Sequence, residues 1–363
     1  MDFCLVHLSD FHLRTSTQPQ TDAILSSLTQ DLKQRVEALD LPTPHVALSG
    51  DLAYGGREEE YAIVDSFVDS LADSLHARSL MFCGGNHDVN WSLLAPFNAD
   101  LMNEMVEKRG GVASTEAMFA VEANREAFRA GMGPYYSFLE RRGVESMSEL
   151  YYVKQLSVAN LRLNLISLNS AFIFSRKYNY HGYVGTEQMA AASKAVSGDR
   201  MSSFNITLVH HPLEAIVPAA QEPTKRYLYA FSDVILNGHV HSPRVAVEYT
   251  ARMLGRTREG PPPTISCARC VFDEANDPSV SSGYSIIGID FEYERVRALK
   301  VWEVEFDRAS GEWYYDPRKQ TYPLEVKVPP RSGAAGVEGI GPKVTDSERN
   351  LLGRWKADKN RDS

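Results

Sequence analysis

Five short clusters of Asp, Asn and His residues follow predicted strands of this chain. They are Asp10-x-His12, Asp51, Asn86 with His87, His210, and His239-x-His241. Carboxylates, imidazoles and amide oxygens bind borderline divalent metals such as Mn²⁺, Fe²⁺ or Zn²⁺, and these clusters contain no thiolate that would select a soft ion. Seven candidate ligands and an additional histidine exceed what one tetrahedral zinc needs. They suit two metal ions about 3.5–4 Å apart that share a bridging carboxylate.

The stretch Gly84–Asp88 is the most informative of these clusters. It follows the apolar run 79–83, which reads as a buried strand. The two glycines allow a tight turn and a close approach of the backbone to a ligand. Polar side chains at the carboxyl end of a strand lie where open α/β sheets bind their ligands.

The elements that must position these clusters alternate between strand and helix. We predict strands at 2–8, 46–48 and 79–83, with amphipathic helices at 21–39 and 58–75. This alternation predicts parallel strands joined by right-handed crossovers. The polar clusters should therefore meet along one edge of the sheet.

The second half of the chain repeats this arrangement and then changes character. Strands at 150–156, 161–168, 206–209 and 234–236 and a helix at 186–196 are predicted. The segments 245–249, 263–266, 284–291, 296–306 and 313–315 have the two-residue rhythm of antiparallel strands.

Residues 91–149 interrupt the alternation and read as a helical insertion placed to cap the site. Helices are expected at 98–109 and 115–142, with a break at 131–134. The basic residues of the insertion line either solvated helix faces or a substrate pocket. We assign 1–330 to one domain, with a β-rich part at about 245–328. Residues 331–363 are predicted to be a polar tail or linker, which is a candidate for binding a partner protein.

Composition narrows the class of protein further. The chain has 363 residues, 43% of them hydrophobic, and a net charge of −9. This charge argues against a broad nucleic-acid-binding surface but leaves room for a local basic pocket. We expect no membrane span, no leader peptide and, with four cysteines, no disulfide framework, so a cytoplasmic location is the expectation. Oligomeric state is not predicted.

The ordered set of clusters resembles the calcineurin-like metallophosphoesterase superfamily over residues 2 to about 245. The matching motifs are Asp10-x-His12, Gly50-Asp51, Gly85–Asp88, His210 and Gly238–His241. The resemblance implies an α/β fold: a four-layer αββα sandwich of two mixed β-sheets flanked by helices.

The resemblance also implies roles for individual residues. One metal would be held by Asp10, His12, Asp51 and His241, and the other by Asp51, Asn86, His210 and His239. Asp51 would bridge two divalent ions, with Mn²⁺ favoured and Fe²⁺, Fe³⁺ or Zn²⁺ as alternatives. His87 would act as a general acid or cation at the leaving group, and Asp88 would orient its neighbours. A hydroxide between the metals would attack phosphorus in line.

Tyr54 presents an alternative within the same superfamily. Gly50–Tyr54 also fits the Gly-Asp-x-x-Tyr pattern of purple acid phosphatases, in which the tyrosine binds ferric iron. Those enzymes lack the histidine that is present here as His12. We therefore interpret Tyr54 as a packing or substrate-side residue.

The motifs are most similar to those of bacterial class III cyclic-nucleotide phosphodiesterases. Our hypothesis is a phosphodiesterase that acts on a nucleotide, cyclic nucleotide or nucleic-acid phosphoester. The alternatives are a phosphomonoesterase or protein phosphatase, and a nuclease of the double-strand-break repair type. A non-catalytic scaffold is disfavoured because the full set of ligands and His87 are present.

Overall fold

The computed structural model describes residues 1–93, 121–144, 150–158, 161–171, 181–196, 203–240, 244–248, 264–268, 282–292, 295–307, 310–314 and 324–327. Within them, no helix combines the length and the apolar character that crossing a membrane requires.

The first sheet combines three strands from the beginning of the chain with strands from its C-terminal part. β1 (Phe3–Leu8), β2 (His45–Leu48) and β3 (Ser79–Phe82) run parallel, and helices α1 (Gln18–Ala38) and α2 (Glu58–Leu75) connect them. The C-terminal strand β10 (Gly283–Glu292) pairs antiparallel with β1. β11 (Arg295–Asp307) and β12 (Glu312–Tyr314) follow, each antiparallel to the strand before it, giving the order β12-β11-β10-β1-β2-β3. β13 (Leu324–Lys327) pairs with β11.

The second sheet is built mainly from the middle of the chain. Its strands are β4 (Tyr151–Val158), β5 (Leu161–Leu168), β6 (Ser203–Val209), β7 (Val234–Asn237), β8 (Arg244–Glu248) and β9 (Thr264–Ala268). The order is β4-β5-β6-β7-β9-β8, with parallel pairing from β5 to β9 and antiparallel strands at both edges.

The two sheets pack face to face through an apolar core. Leu5 and Ile287 of the first sheet cluster with Leu163 and Leu208 of the second, and all four are fully buried. The Tyr152 hydroxyl of β4 donates a hydrogen bond to the Phe82 carbonyl oxygen of β3 at 2.6 Å, which ties one sheet to the other. Burial of such apolar side chains on both inner faces is the main driving force for this layering.

Helices cover the outer faces of both sheets. Apolar residues of α1 and α2, such as Leu28 and Val68, are buried in one cluster with the outward-facing Val6 of β1. The outer face of the second sheet is covered by α5 (Thr186–Ala195) and α6 (Pro218–Phe231), in which Met189 and Leu228 are buried. Two mixed sheets flanked by helices confirm the predicted fold class.

Part of the predicted insertion is visible as two short helices. α3 (Glu122–Gly131) and α4 (Gly133–Arg141) meet at Met132, within the predicted break at 131–134. Arg142, at the end of α4, donates to the Asp65 carboxylate of α2 at 2.7 Å, which docks the insertion on the domain. The helix predicted at 98–109 lies outside the described residues, as does the tail 331–363, so the domain boundaries stay predictions.

Three details of the sequence prediction were wrong or incomplete. β9 runs parallel to β7 as well as antiparallel to β8, because alternation of apolar residues reports which face is buried and not the strand direction. α6 was not predicted, since Pro218 and Pro223 weaken its helical pattern. β13 was not predicted either.

Candidate metal centre

The candidate site is formed where the chain turns sharply after its strands. Asp10, His12, Asp51 and His239 all adopt left-handed backbone conformations, with φ of 57°, 48°, 53° and 72°. Residues other than glycine rarely adopt this backbone conformation, because it is sterically strained. Strained backbone conformations of this kind are concentrated at functional sites. Two other described non-glycine residues have positive φ, Asp40 and His76, and both lie just after helices. The turns at the candidate ligands are therefore a feature of the site.

Backbone hydrogen bonds join the first two of these turns. The Asp10 amide donates to the Gly50 carbonyl and the His12 amide to the Asp51 carbonyl, both at 3.0 Å. The Tyr54 amide continues the pairing with a bond to the Leu13 carbonyl at 3.1 Å. The loops after β1 and β2 thus carry their polar side chains side by side.

Asp51 lies at the centre of the side-chain cluster. Its Oδ2 is 3.1 Å from His210 Nε2 and 3.9 Å from His12 Nε2. His12 Nε2 is in turn 4.0 Å from Asp10 Oδ1. His210 Nδ1 is 2.7 Å from the Ser49 carbonyl oxygen, which can only accept, so Nδ1 carries the hydrogen and Nε2 faces Asp51.

A second group of donors forms around His239. Its Nδ1 is 3.0 Å from Asn86 Oδ1, and its backbone amide donates to the Asp10 carboxylate at 2.9 Å. Two groups of three residues bring potential metal-ligating atoms within 4.8 Å of one another. One group is His210, His211 and His239, and the other is Asp10, Asp51 and His210. His241, the remaining predicted ligand, lies outside the described residues.

Three glycines make this close approach sterically feasible. A Cβ at Gly50 would stand 2.5 Å from His210 Nδ1, and one at Gly238 would stand 2.5 Å from Asp10 Oδ2. At Gly85 it would meet the Asp51 backbone nitrogen at 2.5 Å. Real Cβ atoms do not approach this closely, so a larger residue at any of these positions would push the donors apart.

The electrostatics of the cluster favour bound cations. Burial raises the pKa of Asp51, but the neighbouring His210 and His87 charges outweigh burial and hold this pKa well below its usual value. Burial lowers the pKa of His210, yet the Asp51 carboxylate raises it to about 9. An ionised carboxylate that is 1% exposed needs positive charge beside it. Carboxylate, amide oxygen and imidazole donors around such a carboxylate fit a pair of divalent metal ions.

Asp88 lies beneath the site and is fully buried. Its Oδ1 accepts bonds from the Leu52 and Ala53 amides at 3.0 Å and from the Tyr61 hydroxyl at 2.8 Å. Its Oδ2 accepts from the Gly85 amide at 2.9 Å. Burial, followed by the charge of Asp51, raises the pKa of Asp88 to about 6, against the effect of these hydrogen bonds. Asp88 therefore ties the loops after β2 and β3 together and is in a position to orient residues, with no surface open to a substrate.

His87 lies at the exposed side of the donors. Its amide donates to Asp51 Oδ1 at 2.8 Å, and its ring centroid is 4.5 Å from that of His12. Its Nδ1 is 2.7 Å from the Tyr54 carbonyl oxygen, so Nδ1 carries the hydrogen. Nε2 is then the other ring nitrogen, and it can protonate a leaving group when the ring carries its second proton as an imidazolium.

Two residues near the site were not predicted as part of it. The His211 ring is fully buried and lies 4.4 Å from the His239 ring, while its Nδ1 is 2.8 Å from Ser170 Oγ. Strand alternation would point His211 away from His210 only if β6 continued, but β6 ends at Val209. Arg14 lies with its guanidinium 4.7 Å from the Tyr54 ring centroid. Its place two residues after His12 was the signal that could have revealed it.

The segment of the chain that carries the candidate site matches a known family of proteins. The family model for calcineurin-like phosphoesterases matches residues 5–243, about two thirds of the chain, and the chain belongs to this family. The predicted recognition and the class of metal-dependent phosphoester hydrolase are confirmed at this level. The family depends on two metal ions, while the roles assigned to individual residues stay predictions.

Structural comparison finds likenesses at low sequence identity. A purple acid phosphatase from yellow lupin (Lupinus luteus) seeds is 15% identical, with a TM-score of 0.49, 93% of this chain covered and 57% of the lupin chain. GAP50, the anchor in the inner membrane complex of Plasmodium, is 12% identical (TM-score 0.45; 98% and 94% covered). A 5′-nucleotidase precursor from Thermus thermophilus is 13% identical (TM-score 0.40; 83% and 54% covered). The comparison with curated proteins finds no match. Likenesses at this level do not specify a substrate.

Proposed function

We propose that this chain hydrolyses phosphodiesters of the nucleotide class with the help of two divalent metal ions, Mn²⁺ being the favoured metal. The observation that carries the proposal is the placement of His87. Its backbone amide is bonded to Asp51 and its Nδ1 to the Tyr54 carbonyl oxygen, so the ring is fixed beside the donor cluster, with one ring nitrogen within 4.8 Å of ligating atoms of His12 and Asp51. A fixed imidazole next to a metal-binding carboxylate is the arrangement that protonates the leaving oxygen of a phosphoester.

Each part of the cluster then has a chemical task. Two bound ions would lower the pKa of a water molecule and neutralise charge on the phosphoryl oxygens. Asp10, His12, Asp51, Asn86, His210, His239 and His241 would hold these ions. Asp88 would keep the loops of Asp51 and His87 in register through its four hydrogen bonds.

We infer the preference for diesters from the similarity of three sequence motifs to those of a family of phosphodiesterases. Gly85–Asp88, His210–Pro212 and Gly238–His241 resemble class III cyclic-nucleotide phosphodiesterases. The acidic net charge of −9 favours a small nucleotide over long nucleic acid, since phosphate backbones require extended basic surfaces. We further propose a cytoplasmic location, in line with the two free buried cysteines Cys4 and Cys83.

A substrate panel on Mn²⁺-loaded protein tests this proposal. The panel contains bis-p-nitrophenyl phosphate, cyclic AMP, p-nitrophenyl phosphate and linear DNA. We expect turnover of the two small diesters, and we expect His87→Ala to lower it by roughly 10²–10⁴-fold while the metal content is retained. Turnover of the monoester alone would refute the proposal in favour of a phosphatase. DNA cleavage with a steep salt dependence would favour a nuclease.

A further inference from the structure

An exposed aromatic ring stands directly beside the catalytic side of the candidate site. Tyr54 is 45% exposed, although large aromatic side chains are usually well covered. Its ring centroid lies 5.4 Å from that of His87 and 6.3 Å from that of His12. The ring therefore borders both the candidate general acid and a candidate metal ligand.

The backbone of Tyr54 is held independently of its ring. The amide donates to the Leu13 carbonyl, and the carbonyl accepts from His87 Nδ1. The exposed face of the ring takes no part in either bond. A change of the side chain should consequently leave the orientation of His87 intact.

The guanidinium of Arg14 supports the ring and adds positive charge. It lies 4.7 Å from the ring centroid, which is within the range of a cation–π contact. An aromatic face backed by a cation is well suited to a planar, electron-rich ring that is attached to a phosphate. With the planar ring on the aromatic face, the phosphate of such a ligand would lie toward the candidate metal ligands.

Other exposed apolar side chains also follow the site motifs. In the part of the chain that the structure describes, four large apolar residues are more than 40% exposed: Tyr54, Leu93, Val121 and Val240. Leu93 comes five residues after Asp88, and Val240 directly follows His239. Isolated exposed apolar residues are ordinary, but three of these four lie within five residues of a site residue in the sequence.

We propose that Tyr54 is a specificity-determining residue that stacks on the base of a nucleotide substrate, with Arg14 positioning its ring. This inference rests on the proposed function and adds the part of the substrate that the site would recognise. Stacking of a base on an aromatic side chain favours binding of the base. A preference of about tenfold for a ligand with a base over the same ligand without one is therefore expected.

Calorimetric binding to the Mn²⁺-loaded protein tests the inference without relying on turnover. The two probes are adenosine 5′-monophosphate and ribose 5-phosphate, which differ in the base. Wild type should bind the first probe about tenfold more tightly. Tyr54→Leu should reduce this preference below about threefold, and Tyr54→Phe should restore it, because the phenyl ring retains the stacking face.

A control variant separates the site from a general effect of tyrosine. Tyr229 of α6 also has a cation over its ring, Lys225 at 5.4 Å, but belongs to no site motif. Tyr229→Leu should keep the preference for the base.

Several results would overturn the inference. Equal affinity of wild type for both probes would do so even if the substrate panel showed diester turnover, and the proposed function would then stand without it. Failure of both probes to bind would likewise overturn it, while the panel would decide the function separately. Loss of metal and of a visible absorption band in iron-loaded Tyr54→Phe would make Tyr54 a metal ligand instead.

Discussion

Gly85→Ala should damage the candidate metal centre through a purely steric effect. Gly85 has φ of −114° and ψ of 179°, an extended conformation that alanine adopts without strain. The added Cβ would nevertheless lie 2.5 Å from the Asp51 backbone nitrogen and closer still to Asp51 Oδ1. Rotation of the carboxylate cannot relieve the clash with the backbone atom. The loops after β2 and β3 would have to separate by about 1 Å to reach ordinary contact distance.

This separation has consequences for stability and for catalysis. Overpacking of this kind costs about 1–3 kcal/mol of unfolding free energy. The Asp88 bonds to the Leu52 and Ala53 amides cross the same gap and would be stretched. A displacement of about 1 Å at a reacting group lowers turnover by roughly 10²-fold. We expect both effects, together with a loss of bound metal, because Asp51 would be displaced from its neighbours.

Metal analysis, denaturant unfolding and kcat/KM on the best substrate of the panel measure these effects. Gly133→Ala is the matched control, because a Cβ there meets nothing within 4 Å and helix α4 should gain from alanine. Gly84→Ala is an intermediate case, since its nearest neighbour is the flexible end of Met132 at 2.9 Å. Full metal content with kcat/KM within threefold of wild type in Gly85→Ala would refute the reasoning.

Three further predictions concern the ligands, the insertion and pH. Asp51→Asn should lower the content of both metals, whereas His87→Ala should retain metal and reduce turnover by roughly 10²–10⁴-fold; equal metal loss in both would contradict the assignment. Arg142→Gln should cost about 1.5–3 kcal/mol in denaturant unfolding, because the 12%-exposed side chain donates to charged Asp65. The more exposed Arg141 (43%) is the control, and Arg141→Gln should cost at most about 1 kcal/mol; an equal cost would mean that burial does not decide the effect. Burial, aided by the charges of nearby basic residues, lowers the pKa of His45 from 6.5 to about 4. Between pH 6.5 and 4, His45 is protonated in the unfolded chain but stays neutral in the folded protein. The free energy of unfolding should therefore fall as the pH is lowered from 6.5 towards 4, and it should fall less in His45→Gln. An unchanged pH dependence would show that His45 does not contribute.

The sequence predicted the ligand-bearing turns because their chemistry is local. Asp10, Asp51 and Asn86 each follow a short buried strand, and the carboxyl ends of parallel strands must share one edge of a sheet. Both the identity of the side chains and the parallel order could be read from the chain. The described residues of the site are accordingly found together.

What sequence reasoning missed depends on long-range geometry. Beyond Val209, where β6 ends, strand alternation no longer predicts side-chain direction, so the position of the His211 ring beside His239 could not be read from the pattern. The contact of Arg14 with Tyr54 arises because the loops after β1 and β2 pair through their backbones. Such a pairing between loops leaves no periodic signal. The direction of β9 is likewise decided by its neighbours in the sheet.

The donor positions depend on the backbone more than on contacts between side chains. The bonds that bring the first two loops together run from amide to carbonyl, as between His12 and Asp51. The amides of His87 and His239 in turn fix the carboxylates of Asp51 and Asp10. Replacing an imidazole therefore removes one metal ligand and, at His210 or His87, one ring hydrogen bond to a carbonyl oxygen, but it leaves the amide bonds that position the carboxylates. Removing a carboxylate breaks a contact to a backbone amide as well as a metal bond, so the carboxylate variants should be the more damaging class.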